Sequence, residues 1–157
     1  MNLAQNTTFG DKILWALRYW EGLAGTRPMP TRADLDPLDI PGLLPHIYLL
    51  NVFDEPLDFQ YRLIGTEIVR HSKRDYTGER VSDLPEQRAP SRIWSLYEQT
   101  VTERRPICLR VPYLHIPGRY VQKMAAPLSP DGETVTMIFG VVQFDDSHYP
   151  EQQVTAL

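Results

Sequence analysis

The sequence predicts one α+β domain built on a five-stranded antiparallel sheet that a helical segment interrupts. Five segments rich in branched and aromatic residues read as strands, and turn residues join most of them. Between the second and third of these segments, from residue 65 to about residue 104, the apolar positions recur at helical spacing. Because strands joined by tight turns are antiparallel neighbours, the interrupting helices have to cover one face of the sheet. We call residues 65–104 the crossover.

The size and the charge of the chain restrict its class. Its 157 residues suit one domain, which can bury a core without disulfides or a metal. The net charge of -4 argues against nucleic acid as a partner, because phosphate binding needs a basic patch. No apolar run approaches the roughly 20 residues of a membrane span, and the first residues do not resemble a signal peptide. We therefore expect a cytoplasmic protein without nucleic-acid or membrane partners.

The N-terminal part is expected to be a helix followed by a proline-rich segment. After a loose stretch at 1–8, residues 9–24 carry one apolar stripe at three- and four-residue steps, which is typical of an amphipathic helix. This helix is the natural cover for the second face of the sheet, and its aromatic residues could also form a homodimer contact. Residues 26–45 contain too many prolines for a long helix, so single turns are expected there. The acids Asp34, Asp36 and Asp39 are better explained as turn caps than as catalytic groups.

The sheet and the crossover helices occupy residues 46–144. Within the crossover we expect a short helix from Thr66 to about Lys73 and a longer one from Pro90 or Ser91 to about Arg104. The last strand is apolar on both faces, which places it in the centre of the sheet. The predicted strands are 46–53, 59–64, 107–116, 120–128 and 135–144. The domain is therefore expected to span 9–145, and a polar tail to follow at 146–157.

The arrangement and several of its motifs resemble a PAS domain, and in particular a group of small, stand-alone bacterial PAS-like proteins. The resemblance extends from about Trp15 to Phe144. It is carried by Tyr19-Trp20, Met29-Pro30, Asp34-Leu-Asp-Pro-Leu-Asp-Ile-Pro41, Leu43-Leu-Pro-His46, Phe59-Gln-Tyr-Arg-Leu-Ile-Gly-Thr66 and Asp75-Tyr-Thr-Gly78. It implies a helical flank on the sheet, a small-molecule cleft between the two, and a signalling or regulatory role.

The cofactor attachments of PAS domains are not matched. Flavin-binding photosensors need a cysteine in the crossover, whereas Cys108, the only cysteine, follows it. Haem-binding members use a histidine on the long crossover helix, and residues 89–104 contain none, so His71 in the preceding helix is only a weak candidate. The other three histidines are His46, His115 and His148, and all four are better read as structural. We expect neither a cofactor nor a metal.

Apolar residues on both sides of the expected cleft could line a ligand site. A core filled by these side chains is as compatible with the sequence as an open pocket. The candidate cleft residues are Tyr61, Leu63, Ile68, Val69, Tyr97, Val101, Leu109, Val111, Met124, Met137 and Phe139. Arg62 and Arg110 lie within apolar strands, where a guanidinium must find an anion or a carboxylate. They are either anion contacts or structural residues that pair with the acids of the proline-rich segment.

These observations favour a sensory or regulatory module of bacterial signal transduction that binds a small molecule or a protein partner. The chain contains no kinase, cyclase or DNA-binding segment, so any output has to pass through association. The alternative is a ligand-free adaptor for protein–protein interaction that acts through dimerisation. An enzyme on the same sheet would need an acid–base pair in the cleft, and the sequence offers none to place there. We therefore predict no catalysis.

Overall fold

The computed structural model describes residues 9–113 and 117–144. The predictions of a loose stretch at 1–8 and a polar tail at 146–157 lie outside the described residues. So do His115, His148 and the end of the third predicted strand. Among the helices of the described part, none is both long enough and apolar enough to cross a membrane.

The architecture is the predicted α+β fold with an N-terminal helix and a helical crossover. The helices are α1 (Asp11–Ala24), α2 (Thr66–Ser72) and α3 (Arg92–Glu103). The strands are β1 (Ile47–Asp54), β2 (Leu57–Ile64), β3 (Ile107–Pro112), β4 (Tyr120–Leu128) and β5 (Met137–Gln143). All neighbouring strands are antiparallel, in the order β2-β1-β5-β4-β3. The central position predicted for the last strand is confirmed.

Helix α1 covers one face of the sheet, which we call the α1 face. The apolar stripe of the helix is buried against β4 and β5, and the Trp20 Nε1–H donates to the Pro127 carbonyl at 2.9 Å. Gly25 ends the helix with a positive φ of 60°. The proline-rich segment adds Met29, Leu35 and Ile40 to the same core. The apolar stripe predicted for residues 9–24 therefore packs against the sheet, as expected.

The three acids of the proline-rich segment have local structural roles. Asp34 forms a capping box with Thr31 and an ion pair of 2.8 Å with Arg27. Asp36 caps a single 3-10 turn by accepting from the Leu38 N–H at 2.9 Å. Asp39 accepts from the Tyr19 hydroxyl at 3.1 Å, which ties the segment to α1. These contacts fix the loop against the helix.

The crossover covers the other face, which we call the crossover face. Helix α3 begins at Ser91, whose side chain accepts from the Trp94 N–H at 2.9 Å, and its predicted stripe is buried. Thr100, at the end of this stripe, donates its hydroxyl proton to the Leu96 carbonyl at 2.8 Å. The side chains of β1, β2 and β3 on this face are large, and they meet α3 in a second core.

A β-bulge in β2 changes which face its last residues occupy. Tyr61 pairs with Leu50, but Leu63 pairs with Leu49, so Arg62 is an extra residue opposite a single step of β1. A bulge of this kind reverses the alternation of side chains beyond it. Leu63 therefore turns away from the crossover and lines a surface groove of about 340 Å³ beside the proline-rich segment.

Candidate functional site

A cavity of about 90 Å³ lies between the crossover and the sheet. Strands of the sheet provide its floor, and α2, the segment between α2 and α3, and the start of α3 provide its walls. Its lining comprises Tyr48, Tyr61, Ile64, Ile68, Ser72, Tyr76, Gln87, Ile93, Val111, Pro112, Tyr113, Val121, Lys123, Val142 and Phe144. Most of this surface is apolar, but four of these residues are polar side chains that the fold buries almost completely, namely Tyr48, Tyr61, Gln87 and Lys123.

Tyr61 and Gln87 form one chain of hydrogen bonds with Tyr97, which lies behind the cavity. The Tyr61 hydroxyl donates to the Gln87 Oε1 at 2.5 Å. The Tyr97 and Tyr61 hydroxyl oxygens are 2.8 Å apart, and because the Tyr61 proton is already committed, Tyr97 is the donor in this pair. The Tyr48 hydroxyl donates separately to the Met124 carbonyl at 2.7 Å. Each hydroxyl proton therefore has an acceptor within the protein.

Burial keeps these hydroxyls neutral. Desolvation raises the pKa of Tyr61, and it raises the pKa values of Tyr48 and Tyr97 well above their usual range, with further increases from the neighbouring tyrosines. Near neutral pH the three side chains are therefore uncharged. They contribute fixed hydroxyl dipoles to the cavity, but no charge.

Among the described residues that line this cavity, Lys123 is the one charged side chain. It lies in the middle of β4 and is 7% exposed. Its Nζ lies 4.7 Å from the centroid of the Tyr48 ring and 5.0 Å from that of the Tyr97 ring. Within 9–113 and 117–144 it makes neither a hydrogen bond nor an ion pair. The ammonium is thus held by the faces of two aromatic rings.

The surroundings of Lys123 weaken its hold on a proton. Burial lowers the pKa of Lys123 to about 7, because the charged form loses water, and none of the described lining residues is an aspartate or glutamate. Near neutral pH the side chain therefore exists in both protonation states. It can act as a cationic hydrogen-bond donor to an anion or, when neutral, as a free amine.

The predicted cleft residues separate into three groups. Tyr61, Ile68 and Val111 line the cavity. Tyr97, Val101 and Leu109 belong to the core of the crossover face without lining the cavity, and Val69 is half-buried on α2 outside it. The remaining four lie elsewhere, and they are Leu63, Met124, Met137 and Phe139.

The last group requires a correction of the expected cleft. Met124, Met137 and Phe139 point to the α1 face, because side chains alternate along a strand and their neighbours Lys123 and Ile138 occupy the crossover face. Leu63 is moved from the crossover face by the bulge at Arg62. None of these four side chains lines the cavity.

The two arginines that were candidate anion contacts do not line the cavity either. Arg62 is exposed at the bulge of β2. Arg110 is 5% exposed, alternates with cavity-side residues of β3 and therefore faces the α1 side. Among the acids that were alternative partners for them, Asp34 is paired with Arg27 instead. The cation that does reach the cavity is Lys123.

Of the four nearly buried polar side chains of the cavity, the sequence reasoning missed three, namely Tyr48, Gln87 and Lys123. Lys123 had a usable signal, because it shares a face of its strand with Val121 and Ala125, both of which are buried. Tyr48 could have been found from the same alternation in β1. Gln87 lies in the irregular part of the crossover, where no periodicity indicates the direction of a side chain.

The residues considered for cofactors have other contacts. The His71 ring stacks on Phe144 with centroids 3.7 Å apart, and its Nδ1 lies 3.0 Å from the Glu67 carbonyl oxygen. Cys108 is buried in the core of the α1 face. In the described part of the chain no three His, Cys, Asp or Glu side chains are grouped so that they could hold a metal ion.

Comparison with known proteins gives one family. No curated protein matches the chain. The model of a PAS domain matches residues 13–143, which include most of α1, the whole sheet and the crossover that covers the cavity. A match over this length, on a fold with the sheet and helical flank expected of such a domain, shows that the chain belongs to the PAS domain family.

Proposed function

We propose that this protein is a sensory or regulatory module of bacterial signal transduction that binds a small molecule in the cavity beneath the crossover and catalyses no reaction itself. Membership of the PAS domain family supports the sensory role. The observation that carries the binding role is Lys123, a nearly buried cation on the cavity wall that is paired with no carboxylate in the part of the lining that the structure describes.

A core without a ligand gives a poor account of these polar groups. Burying an uncompensated charge is costly, and buried polar groups in folded proteins nearly always have partners. An apolar side chain at position 123 would fill the same space at no such cost. A ligand that accepts a hydrogen bond from Lys123 would offset the desolvation of the ammonium, which gives the residue a reason to be present.

The position of the cavity also suits a relay. Its floor belongs to the sheet, whereas Ile68 and Ser72 on α2 and Tyr76 in the following loop belong to the crossover. A ligand in contact with both parts would bind more tightly to one placement of the crossover than to another, and would shift the population toward that placement. The outer surface of the crossover would then report occupancy to a protein partner.

Native mass spectrometry and thermal-shift screening test the proposal. The purified protein should carry a small molecule, or its melting temperature should rise and saturate with one class of metabolite. Ile68→Trp should fill the cavity and abolish that response. Val69→Trp is the matched control, because Val69 is the half-buried neighbour of Ile68 on α2 and does not line the cavity. An unliganded protein that responds to no metabolite class, or an equal response in the two variants, would refute it.

A second candidate function is a ligand-free adaptor that acts as a homodimer. It is favoured by two exposed large apolar side chains, one on α1 and one in the proline-rich segment. Trp15 is 42% exposed beside Gly42, and Leu38 is 85% exposed between the residues that hold Tyr19. Light scattering after size exclusion should give twice the chain mass, and the double variant Trp15→Gln/Leu38→Gln should give the monomer. A monomeric wild-type protein at high concentration would exclude this role.

A further inference from the structure

The hydrogen-bond donors of the cavity decide what kind of ligand it can recognise. Among its nearly buried polar side chains, the hydroxyl protons of Tyr48 and Tyr61 are donated to Met124 and Gln87. Gln87 uses its oxygen as an acceptor, so its amide N–H groups remain. Lys123 contributes its ammonium protons. The free donors among these buried groups are therefore the Gln87 amide and the Lys123 ammonium, and they favour a ligand that presents an acceptor.

The charge of the cavity restricts the acceptor further. Lys123 supplies a single positive charge, and the lining residues within 9–113 and 117–144 include neither an acid nor a second cation. A monoanion would neutralise this charge, whereas a phosphate or sulfate dianion would leave an unpaired negative charge in an apolar surrounding. A carboxylate is the monoanion whose oxygens best match an ammonium donor.

The volume and the walls restrict the rest of the ligand. The cavity measures about 90 Å³, whereas a cavity of about 150 Å³ holds a benzene molecule, so roughly two to four carbons fit. Apart from Gln87 and Lys123, the described walls are mainly aliphatic and aromatic, with Val121, Val142 and Phe144 among them. Such walls favour an alkyl chain for the rest of the ligand, because a polar group that lies against them loses water without gaining a partner.

We infer that the cavity binds a short-chain aliphatic monocarboxylate, whose carboxylate pairs with the Lys123 ammonium and whose alkyl chain lies against the apolar walls. This assignment rests on the proposed ligand-binding function and specifies the ligand of that same site. Lys123 is then the residue that sets specificity, since without it the cavity is a small apolar pocket that should prefer neutral molecules.

Isothermal titration calorimetry on the whole chain tests this assignment. Acetate, propionate, butyrate and hexanoate are titrated at pH 6.5, together with the matched primary amides and, at equal ionic strength, chloride and phosphate. Propionate and butyrate should bind more tightly than their amides, by about thirtyfold or more, because the amide cannot pair with the charge. Lys123→Met should remove this preference. Lys73→Met is the control, because Lys73 is exposed on the surface at the end of α2.

Proton uptake provides a measurement that does not depend on a variant. At pH 8 carboxylate binding should draw nearly one proton onto Lys123, seen as a dependence of the binding heat on the ionisation enthalpy of the buffer. Lys123 is the expected site of this proton uptake because burial keeps Tyr48, Tyr61 and Tyr97 neutral at that pH. The His71 ring stacks on Phe144 of the lining but does not itself line the cavity.

Each result decides between the two proposals. Amides that bind as tightly as carboxylates, or carboxylate binding that persists in Lys123→Met, would overturn the assignment and leave ligand binding itself intact. Binding of chloride or phosphate in preference to the carboxylates would overturn it as well. If no carboxylate binds, the assignment fails, and the response of wild-type protein and Ile68→Trp to other metabolites still decides the proposed function independently.

Discussion

The ammonium nitrogen of Lys123 lies 4.7 Å from the centroid of the Tyr48 ring, inside the core of the crossover face. The Tyr97 ring contributes a second face at 5.0 Å. Aromatic faces attract a cation, but they replace only part of the water that the ammonium loses on burial. The cation–π contacts therefore offset only part of the desolvation free energy of the Lys123 ammonium. The part that is not offset makes the protein's stability depend on pH.

Replacing Lys123 by Met should stabilise the unliganded protein at pH 6, by about 1–4 kcal/mol, because it removes a buried charge without a carboxylate partner. Burial lowers the pKa of Lys123 to about 7 from an ordinary value of 10.5. Between these values the unfolded chain binds more protons than the folded one, so wild-type stability rises with pH by up to about 1.4 kcal/mol per pH unit. Urea unfolding from pH 6 to pH 9 measures both effects.

The difference between wild type and Lys123→Met isolates this residue, since the two chains share every other titrating group. The advantage of the variant should be constant below pH 7 and should shrink as the pH rises above 7. An advantage that is the same at pH 6 and pH 9 would mean that the folded protein keeps Lys123 charged throughout.

Replacing Tyr61 by Phe should destabilise the protein by about 1–3 kcal/mol. The change leaves two buried groups without their partner, since the Tyr61 hydroxyl donates to Gln87 and lies 2.8 Å from the Tyr97 hydroxyl. Tyr97→Phe should cost less, because Tyr97 is at the end of the chain of hydrogen bonds. The double variant should lose less than the sum of the two single losses.

Urea unfolding of the four proteins gives this cycle, and Tyr120→Phe is the control. Tyr120 is half-buried and its hydroxyl makes no hydrogen bond within the described ranges, so its replacement should change the free energy of unfolding by less than about 0.5 kcal/mol. Additive losses at Tyr61 and Tyr97 would contradict a shared hydrogen-bond chain.

The sequence predicts the architecture well because the architecture depends on periodicity. The helical stripe from Ile13 to Ala24 and the two-faced apolar pattern of β5 specify which element covers the sheet and which strand is central. These patterns repeat over many residues, so one irregular position does not alter the conclusion. The order of helices and strands along the chain can therefore be predicted from these patterns.

The site is harder to predict because it depends on single positions. Arg62 forms a bulge that no propensity indicates, and this one extra residue moves Leu63 to the other face. Met124 and Lys123 are neighbours on β4, yet they face opposite cores. Hydrophobicity alone favours Met124 as a cavity residue, whereas the side chain that lines the cavity is that of its charged neighbour, Lys123.

Replacing Gly140 by Ala should destabilise the protein, by about 1–3 kcal/mol or more. Gly140 is in the central strand β5, and a Cβ built there would lie 1.9 Å from Cζ of the Tyr48 ring. The ring is fixed by its hydroxyl bond to Met124, so it cannot move away freely. The absence of a side chain at Gly140 therefore leaves the space that the Tyr48 ring occupies beside Lys123.

Gly22→Ala is the matched control for this substitution. Gly22 is exposed on α1, and a Cβ there meets no atom within 4 Å, so alanine should stabilise the helix by up to about 1 kcal/mol. In thermal and urea unfolding, the change in the free energy of unfolding should therefore have opposite signs in the two variants. A neutral Gly140→Ala would show that the Tyr48 ring can be displaced from its place in the core.

Cys108 should resist thiol reagents in the folded protein. Burial raises the pKa of the Cys108 thiol to about 12, so at pH 8 almost none of it is the reactive thiolate, and the side chain is fully covered. Labelling therefore requires the α1 face to open, and the native rate at pH 8 should be at least about a hundredfold below the rate in denaturing urea. Because Cys108 is the only cysteine of the chain, a single labelling curve reports this opening.

A ligand in the cavity should slow labelling only if the two faces open together, which a comparison of free and liganded protein would reveal. Equal rates with and without urea would contradict the burial of this strand.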